Sequence, residues 1–259
     1  MSVDPLADKY PGWNPYHYVH NNPVRLIDPD GMEAEDWVED ANGNVYWNDD
    51  VTYANDKDLK PREIYRGTEY RRFENIGSRI YSDVNYNSDK TITSTQRLRP
   101  DVDGVVTDQE AVDWYHYGGG APLTVDIAQF DFKSSRLSIE DFTKRGRNAL
   151  SVNFFNGGDI HLFNSNILWR PASSETLSDV YGTIRLAIVN ANEGRVRVVT
   201  RPNGSFDTYD FSAVGSVVAG WLRSNGNPTP FDFFGTGTGT IRITTPKPKQ
   251  TKFPIGPKW

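Results

Sequence analysis

The run Tyr181-Gly-Thr-Ile-Arg-Leu-Ala-Ile-Val189 alternates polar and apolar residues, and after Asn190–Gly194 the run Arg195-Val-Arg-Val-Val-Thr200 does the same. Alternation of period two on both sides of a short Asn/Gly turn predicts a β-hairpin with one buried face. A second turn follows at Pro202-Asn203-Gly204, and beyond it stands Ser205-Phe-Asp-Thr-Tyr-Asp-Phe211. In a strand Asp207 and Tyr209 share one face and Asp210 takes the other, unless a bulge brings the two carboxylates together.

Outward from this block the pattern stays short and strand-like. Downstream, Val214, Val217, Val218, Trp221 and Leu222 fall on one helical face, read as core packing, and Gly235–Thr245 alternates as a closing strand. Upstream, Leu150–Phe155 and Ile160–Phe163 flank an Asn156-Gly157-Gly158 turn, and Ser138-Ile-Glu-Asp141 opens a short helix. Thr107-Asp-Gln-Glu110 is a capping box for a helix through Trp114-Tyr-His-Tyr117, stopped by Gly118-Gly119-Gly120 ahead of a strand at Leu123–Ile127. The triple glycine lacks the further Gly or Lys of a phosphate loop and reads as a tight turn. Thr91–Arg99 reads as a polar strand, and Lys60–Asp89 as irregular with one or two strands. Trp37–Trp47, with Asn42-Gly43 at its centre, is a hairpin signal. The fold class expected is mainly β with a few short helices (α+β), with an antiparallel, open β-barrel-like C-terminal domain.

Composition narrows the chemistry. A chain of 259 residues with 37% hydrophobic residues, 7 Trp, 13 Tyr and 13 Phe can bury a substantial core. It has no Cys, which excludes thiol nucleophiles and zinc–thiolate sites. The net charge of −6 is concentrated early: residues 1–60 hold 13 Asp/Glu against 4 Lys/Arg, leaving 21 against 24 beyond. Arg62, Arg66, Arg71, Arg72 and Arg79 make no basic stripe strong enough for nucleic acid, so none is expected as a partner. Asp49, Asp50, Asp56 and Asp58 lack EF-hand spacing and read as a solvated acidic loop. No run reaches the roughly 20 apolar residues of a membrane span. The N-terminus lacks a basic-plus-apolar secretory signal, so export is expected to rest on another component.

Residues 3–32 form an aromatic, proline-rich extended segment containing Asp4-Pro5-Leu6, Asn21-Asn22-Pro23-Val24 and Asp28-Pro29-Asp30-Gly31. These motifs resemble the end of an Rhs repeat-associated core domain. The resemblance implies a β-cage shell, self-cleavage just after Asp-Pro-x-Gly with Met32 as the last shell residue, and Asp28 as a cleavage carboxylate. The partner acid of that cleavage belongs to a shell outside this sequence. It further implies that the downstream region is a secreted toxin with a cognate immunity protein.

The block Tyr181–Ile243 in turn resembles the catalytic domain of colicin M-type bacteriocins, which degrade the peptidoglycan precursor lipid II. Asp207, Tyr209 and Asp210 match that family's Asp-x-Tyr-Asp, but Phe211–Gly220 contains neither residue of the His-Arg pair that follows it there. The implied function is phosphoester hydrolysis of lipid II in a competitor's periplasm, with Asp207, Tyr209 and Asp210 catalytic. Asp207 and Asp210 are candidate Mg²⁺ ligands, and His161 or His116 a candidate acid/base. A non-enzymatic binding or membrane-acting effector domain is the alternative, and a nuclease toxin a lesser one. The expected divisions are residues 1–32 as the Rhs fragment, 33–105 as linker and pre-toxin region, 106–245 as β-rich effector domain and 246–259 as a Lys/Pro-rich tail.

Overall fold

A computed structural model describes residues 36–51, 54, 56–155, 167–174, 176–210 and 228–243. The N-terminal motifs, Asp28-Pro29-Asp30-Gly31-Met32 among them, lie outside the described residues. So do His161 with its expected strand Ile160–Phe163, the helical face at 214–222, and the tail. The chain divides into two compact units: among described residues, 36–76 with 80–97, and 77–79 with 98–243. The architecture is mainly β with short helices, and no described helix is long and apolar enough to cross a membrane.

The first unit holds two three-stranded antiparallel sheets. Strands β1 (Asp36–Glu39), β2 (Val45–Asn48) and β3 (Ile64–Gly67) are ordered β2-β1-β3; β4 (Tyr70–Asn75), β5 (Ile80–Tyr86) and β6 (Ile92–Leu98) are ordered β4-β5-β6. The β1–β2 hairpin pairs Trp37 with Trp47 across the expected Asn42-Gly43 turn. Asp40 holds that turn by accepting from the Asn42 and Asn44 amides at 2.8 and 2.9 Å, and Gly43 supplies the positive φ of 82°.

Aromatic packing joins the two sheets. Trp37 lies edge-on to Trp47 at 5.1 Å and to Tyr86 at 4.9 Å, and its indole N–H donates to the Asn87 carbonyl at 3.0 Å. On the opposite face of the second sheet, buried Asp83 accepts two bonds from Arg71 and one from Arg97. These hydrogen bonds to Arg71, with the charges of both guanidiniums, outweigh the burial and hold its carboxyl below the usual range. The segment Lys60–Asp89 therefore carries three strands, not one or two. Its polar and charged residues are paired across the sheet, so the apolar periodicity that marks a strand is weak there.

In the second unit, α1 (Asp108–Tyr117) starts at the expected capping box: the Thr107 side chain accepts from the Glu110 amide, and the Glu110 carboxylate accepts from the Thr107 amide at 2.8 Å. Thr107→Ala is expected to cost about 1 kcal/mol, read as a midpoint about 3 °C lower in thermal unfolding. Then come β7 (Leu123–Asp126), a 3₁₀ turn at Ile127–Gln129 and α2 (Ile139–Thr143), whose Asp141 accepts from the Ser138 amide at 2.9 Å.

Strands β8 (Ala149–Phe155), β9 (Ile167–Pro171), β10 (Thr183–Asn190), β11 (Arg195–Val198), β12 (Asp207–Tyr209), β13 (Phe231–Thr236) and β14 (Gly239–Thr240) complete the unit, with a π-helical turn at Thr176–Tyr181 before β10. They form a five-stranded sheet, β14-β11-β10-β8-β9, and a three-stranded sheet, β12-β13-β7. The predicted β10–β11 hairpin is present, with Leu186 opposite Val198 and Ile188 opposite Val196.

Three features depart from expectation. The β8–β9 and β13–β7 pairs are parallel. Both edges of β8 are taken, by β10 and β9. The run Gly235–Thr245 is not one strand: β13 begins earlier, at Phe231, and the chain breaks at Gly237, whose φ of 72° leaves the β region. The described strands close no barrel.

The core is aromatic. Phe132, Phe142, Phe154, Phe231 and Phe233 are fully buried. The ring of Phe132 stacks on Phe154 at 5.8 Å, and Tyr181 meets Phe233 at 4.9 Å. Gly235 has no room for a Cβ, which would stand 2.9 Å from Val198 of β11, so β13 lies directly against the larger sheet.

Candidate functional site

The expected acidic motif sits on β12, an edge strand whose neighbour is β13. Thr208 stands opposite Asp232 in the ladder, and the Thr208 hydroxyl donates to Asp232 at 2.6 Å. Alternation places Asp207 and Tyr209 on the other face, the one turned to the core.

A turn brings a cation to this edge. Arg201-Pro-Asn-Gly-Ser205 folds back on itself, with the Gly204 amide donating to the Arg201 carbonyl at 2.9 Å and the Arg201 amide to the Ser205 carbonyl at 2.7 Å. Gly204 takes the positive φ of 89° that the turn requires. The Arg201 guanidinium consequently lies 3.6 Å from the Asp207 carboxylate and 3.9 Å from that of Asp232, and donates to the Thr208 hydroxyl. Asn203, from the same turn, donates to the second Asp232 oxygen at 2.9 Å.

Asp207 is the unusual group. Its side chain is 14% exposed, and burial is the main reason that its carboxyl is pushed up to about 7. The Thr208 amide and Arg201 oppose the rise, while the charges of Asp210 and Asp232 add to it. On its buried side lies Tyr181, ringed by Phe130 at 4.8 Å, Phe206 at 5.8 Å and Phe233 at 4.9 Å. The Tyr181 hydroxyl is buried without a hydrogen-bond partner among the described residues, and burial together with the Asp207 charge holds its proton tightly. A carboxyl that exchanges its proton near neutral pH beside a fixed guanidinium can act as a general acid or base on an anionic substrate.

On the solvent side, Thr208 and Asp232 border an open depression of about 290 Å³, shared with Gly120, Pro122, Pro230 and Phe234. Asp207 does not line it, and Arg201 is the group that reaches both Asp207 and the Asp232 rim.

The expected site residues are thus brought together only in part. Tyr209 is a core side chain, 3% exposed, stacked on Phe231 at 5.3 Å and edge-on to Tyr115 of α1 at 5.7 Å. Its hydroxyl proton is held more firmly than in water by burial, and its ring supports the strand. Asp210 follows β12 and is exposed, acting on Asp207 through its charge. His116 is buried on α1, against the rings of Tyr115 and Tyr117.

As a Mg²⁺ site the pair Asp207 and Asp210 fits poorly. Arg201 already supplies positive charge to Asp207, the Asp207 pocket favours the neutral acid, and no three acidic or imidazole groups among the described residues cluster as a ligand set. Arg201, Asn203 and Asp232 were missed by sequence reasoning. The signal for the first two was the Pro202-Asn203-Gly204 turn, which must return its flanking residues to one another. For Asp232 it was a lone carboxylate within Phe231-Asp-Phe-Phe234. Neither a family model, nor a curated protein, nor a solved structure matches this chain.

Proposed function

We propose that this chain is the C-terminal part of an Rhs-type polymorphic toxin and that its second unit hydrolyses a phosphoester, with lipid II as the substrate. The toxin assignment is supported by Asp4-Pro5-Leu6, Asn21-Asn22-Pro23-Val24 and Asp28-Pro29-Asp30-Gly31, and the choice of lipid II by Asp207-x-Tyr209-Asp210. The observation that carries the enzymatic reading is Asp207, with its carboxyl near 7 and the Arg201 guanidinium 3.6 Å away. Arg201 takes over the phosphate-holding part of the absent His-Arg pair. An open-barrel arrangement would draw the two sheets of the second unit together, a reading favoured by the contact of Gly235 with Val198.

In the proposed step a water oxygen bonds to phosphorus and the phosphorus–oxygen bond to the prenyl alcohol breaks. Arg201 balances the charge on the non-bridging oxygens, and the protonated Asp207 gives its proton to the departing oxygen. The proton lost by water passes to solvent. The step is written without a metal ion, because Arg201 supplies the positive charge. The toxin would act in the periplasm of a competing cell, with the Rhs shell and an immunity protein as its partners.

The test is expression of the full chain with and without a periplasmic export signal, together with Asp207→Asn and Arg201→Met, and assay of the purified chain for release of the prenyl alcohol from lipid II. Lysis is expected only on export, lost in Asp207→Asn and weakened at least about tenfold in Arg201→Met. Turnover is expected to fall as pH rises through about 7, where Asp207 loses its proton, and to persist in chelator. Equal toxicity in both compartments, or undiminished toxicity in Asp207→Asn, would sink the reading.

A further inference from the structure

Among the described residues strand β6 is the last strand of its sheet, and each of its seven residues, Ile92-Thr-Ser-Thr-Gln-Arg-Leu98, is exposed. Two are large and apolar: Ile92 is 56% exposed and Leu98 65%. Edge strands are normally blunted by a proline, a bulge, a lysine or a cover. This sequence contains no Pro and no Lys, and its one charge, Arg97, is compensated by Asp83 at 3.0 Å.

The hydrogen bonds at both ends of the β5–β6 hairpin settle which backbone groups are spare. The Asn87 amide donates to the Thr91 carbonyl at 2.9 Å, and the Arg99 amide to the Arg79 carbonyl at 2.8 Å. Both contacts keep the same antiparallel register, with no residue gained or lost between them. In such a ladder alternate residues bond to the partner strand. The odd-numbered residues Thr91 to Arg99 therefore bond inward to β5, and Ile92, Ser94, Gln96 and Leu98 turn their N–H and C=O groups outward.

We infer that β6 pairs antiparallel with β6 of a second copy of this chain, about a twofold axis through Thr95. Of the antiparallel registers that set outward-bonding residues opposite one another, that one overlaps all seven residues. It sets Ile92 opposite Leu98 of the other copy and Ser94 opposite Gln96, so outward-bonding residues meet outward-bonding residues and about eight backbone hydrogen bonds form. The two apolar side chains that stand exposed at the ends of β6 become cross-strand pairs. Each Arg97 faces Thr93 of the other copy and stays well away from its own counterpart. Thr95 meets Thr95 as a non-hydrogen-bonded pair, at about 4.5 Å between Cα atoms. One short strand buries less than a standard interface, so the association is in the micromolar range or weaker, at about 10 µM.

The native chain contains no Cys, which makes the register directly readable. Thr95→Cys in the full chain is expected to form a disulfide-linked dimer under mild oxidation at least about tenfold faster than Thr93→Cys, whose two copies stand four positions apart in register. Gln96→Pro removes an outward N–H and leaves the β5–β6 bonds intact, so thermal unfolding well below about 10 µM, where the chain is monomeric, is unchanged while dimerisation weakens at least about tenfold. Sedimentation of the wild-type chain is expected to show monomer and dimer in exchange. Monomer alone up to about 200 µM would overturn the inference and leave the edge to a partner of different sequence. A dimer in which Thr95→Cys cross-links no faster than Thr93→Cys would overturn the register and with it the inference.

Discussion

Asp207→Asn is expected to stabilise the protein by about 2–4 kcal/mol at pH 8 and to leave it nearly unchanged at pH 4, even as it removes the proposed activity. The sign follows from the raised folded-state value of about 7 against an ordinary value of 3.8. Between those limits the folded protein holds a proton that the unfolded chain has released, so the wild type loses stability as pH rises from about 4 to about 7 and stays penalised above. Asparagine keeps the shape and has no charge to bury, so the mutant-minus-wild-type difference isolates this one group. Thermal unfolding of both proteins across pH 4 to 8 makes the measurement, with a gap of about 5–10 °C expected at the alkaline end. A gap of the same size at pH 4, or none at pH 8, would show that Asp207 does not carry its proton as described.

Trp114→Ala is expected to cost about 4 kcal/mol, a drop of about 10 °C in midpoint. The indole is fully buried, donates to the Ala121 carbonyl at 2.7 Å, and carries the Arg99 guanidinium over its ring at 5.2 Å. Gly118 packs so closely on it that a Cβ there would lie 2.9 Å from the ring. Removing the indole opens a cavity and leaves the Ala121 carbonyl without its donor. Trp114→Phe retains most of the volume and is expected to lose only about 1–2 kcal/mol, read in the same experiment. The larger variant also loosens α1, whose Tyr115 supports Tyr209 and whose Tyr115 carbonyl accepts from the Thr229 amide at 2.8 Å beside β13.

Local chemistry made the legible part of the fold legible. The Asn42-Gly43 hairpin, the β10–β11 hairpin and the capping box of α1 are each specified within about a dozen neighbouring residues, so turn residues and periodicity were sufficient. The parallel pairs were not legible: β7 finds its partner β13 by packing between segments more than a hundred residues apart, and for the neighbouring strands β8 and β9 alternation alone does not say whether they run parallel or antiparallel. The Asp207 face shows the same limit. Alternation puts Asp207 and Tyr209 together correctly, but it does not say that theirs is the buried face, which makes Tyr209 a core residue and gives Asp207 its retained proton. Phe211–Gly220, downstream of the motif, contains no cation, whereas Arg201, the cation beside Asp207, stands upstream and arrives by a turn.

The parallel pairing of β7 with β13 also orders events in time. Leu123 meets Phe233 only after more than a hundred intervening residues have been made, and closing so long a loop is slow. Strand β12 has β13 as its neighbour, and Asp232 belongs to β13, so the Arg201–Asp207–Asp232 constellation does not exist on a ribosome-bound chain that has yet to reach residue 236. The edge that carries Asp207 is therefore among the last parts of the second unit to be assembled, and what precedes it in synthesis is a chain without that edge.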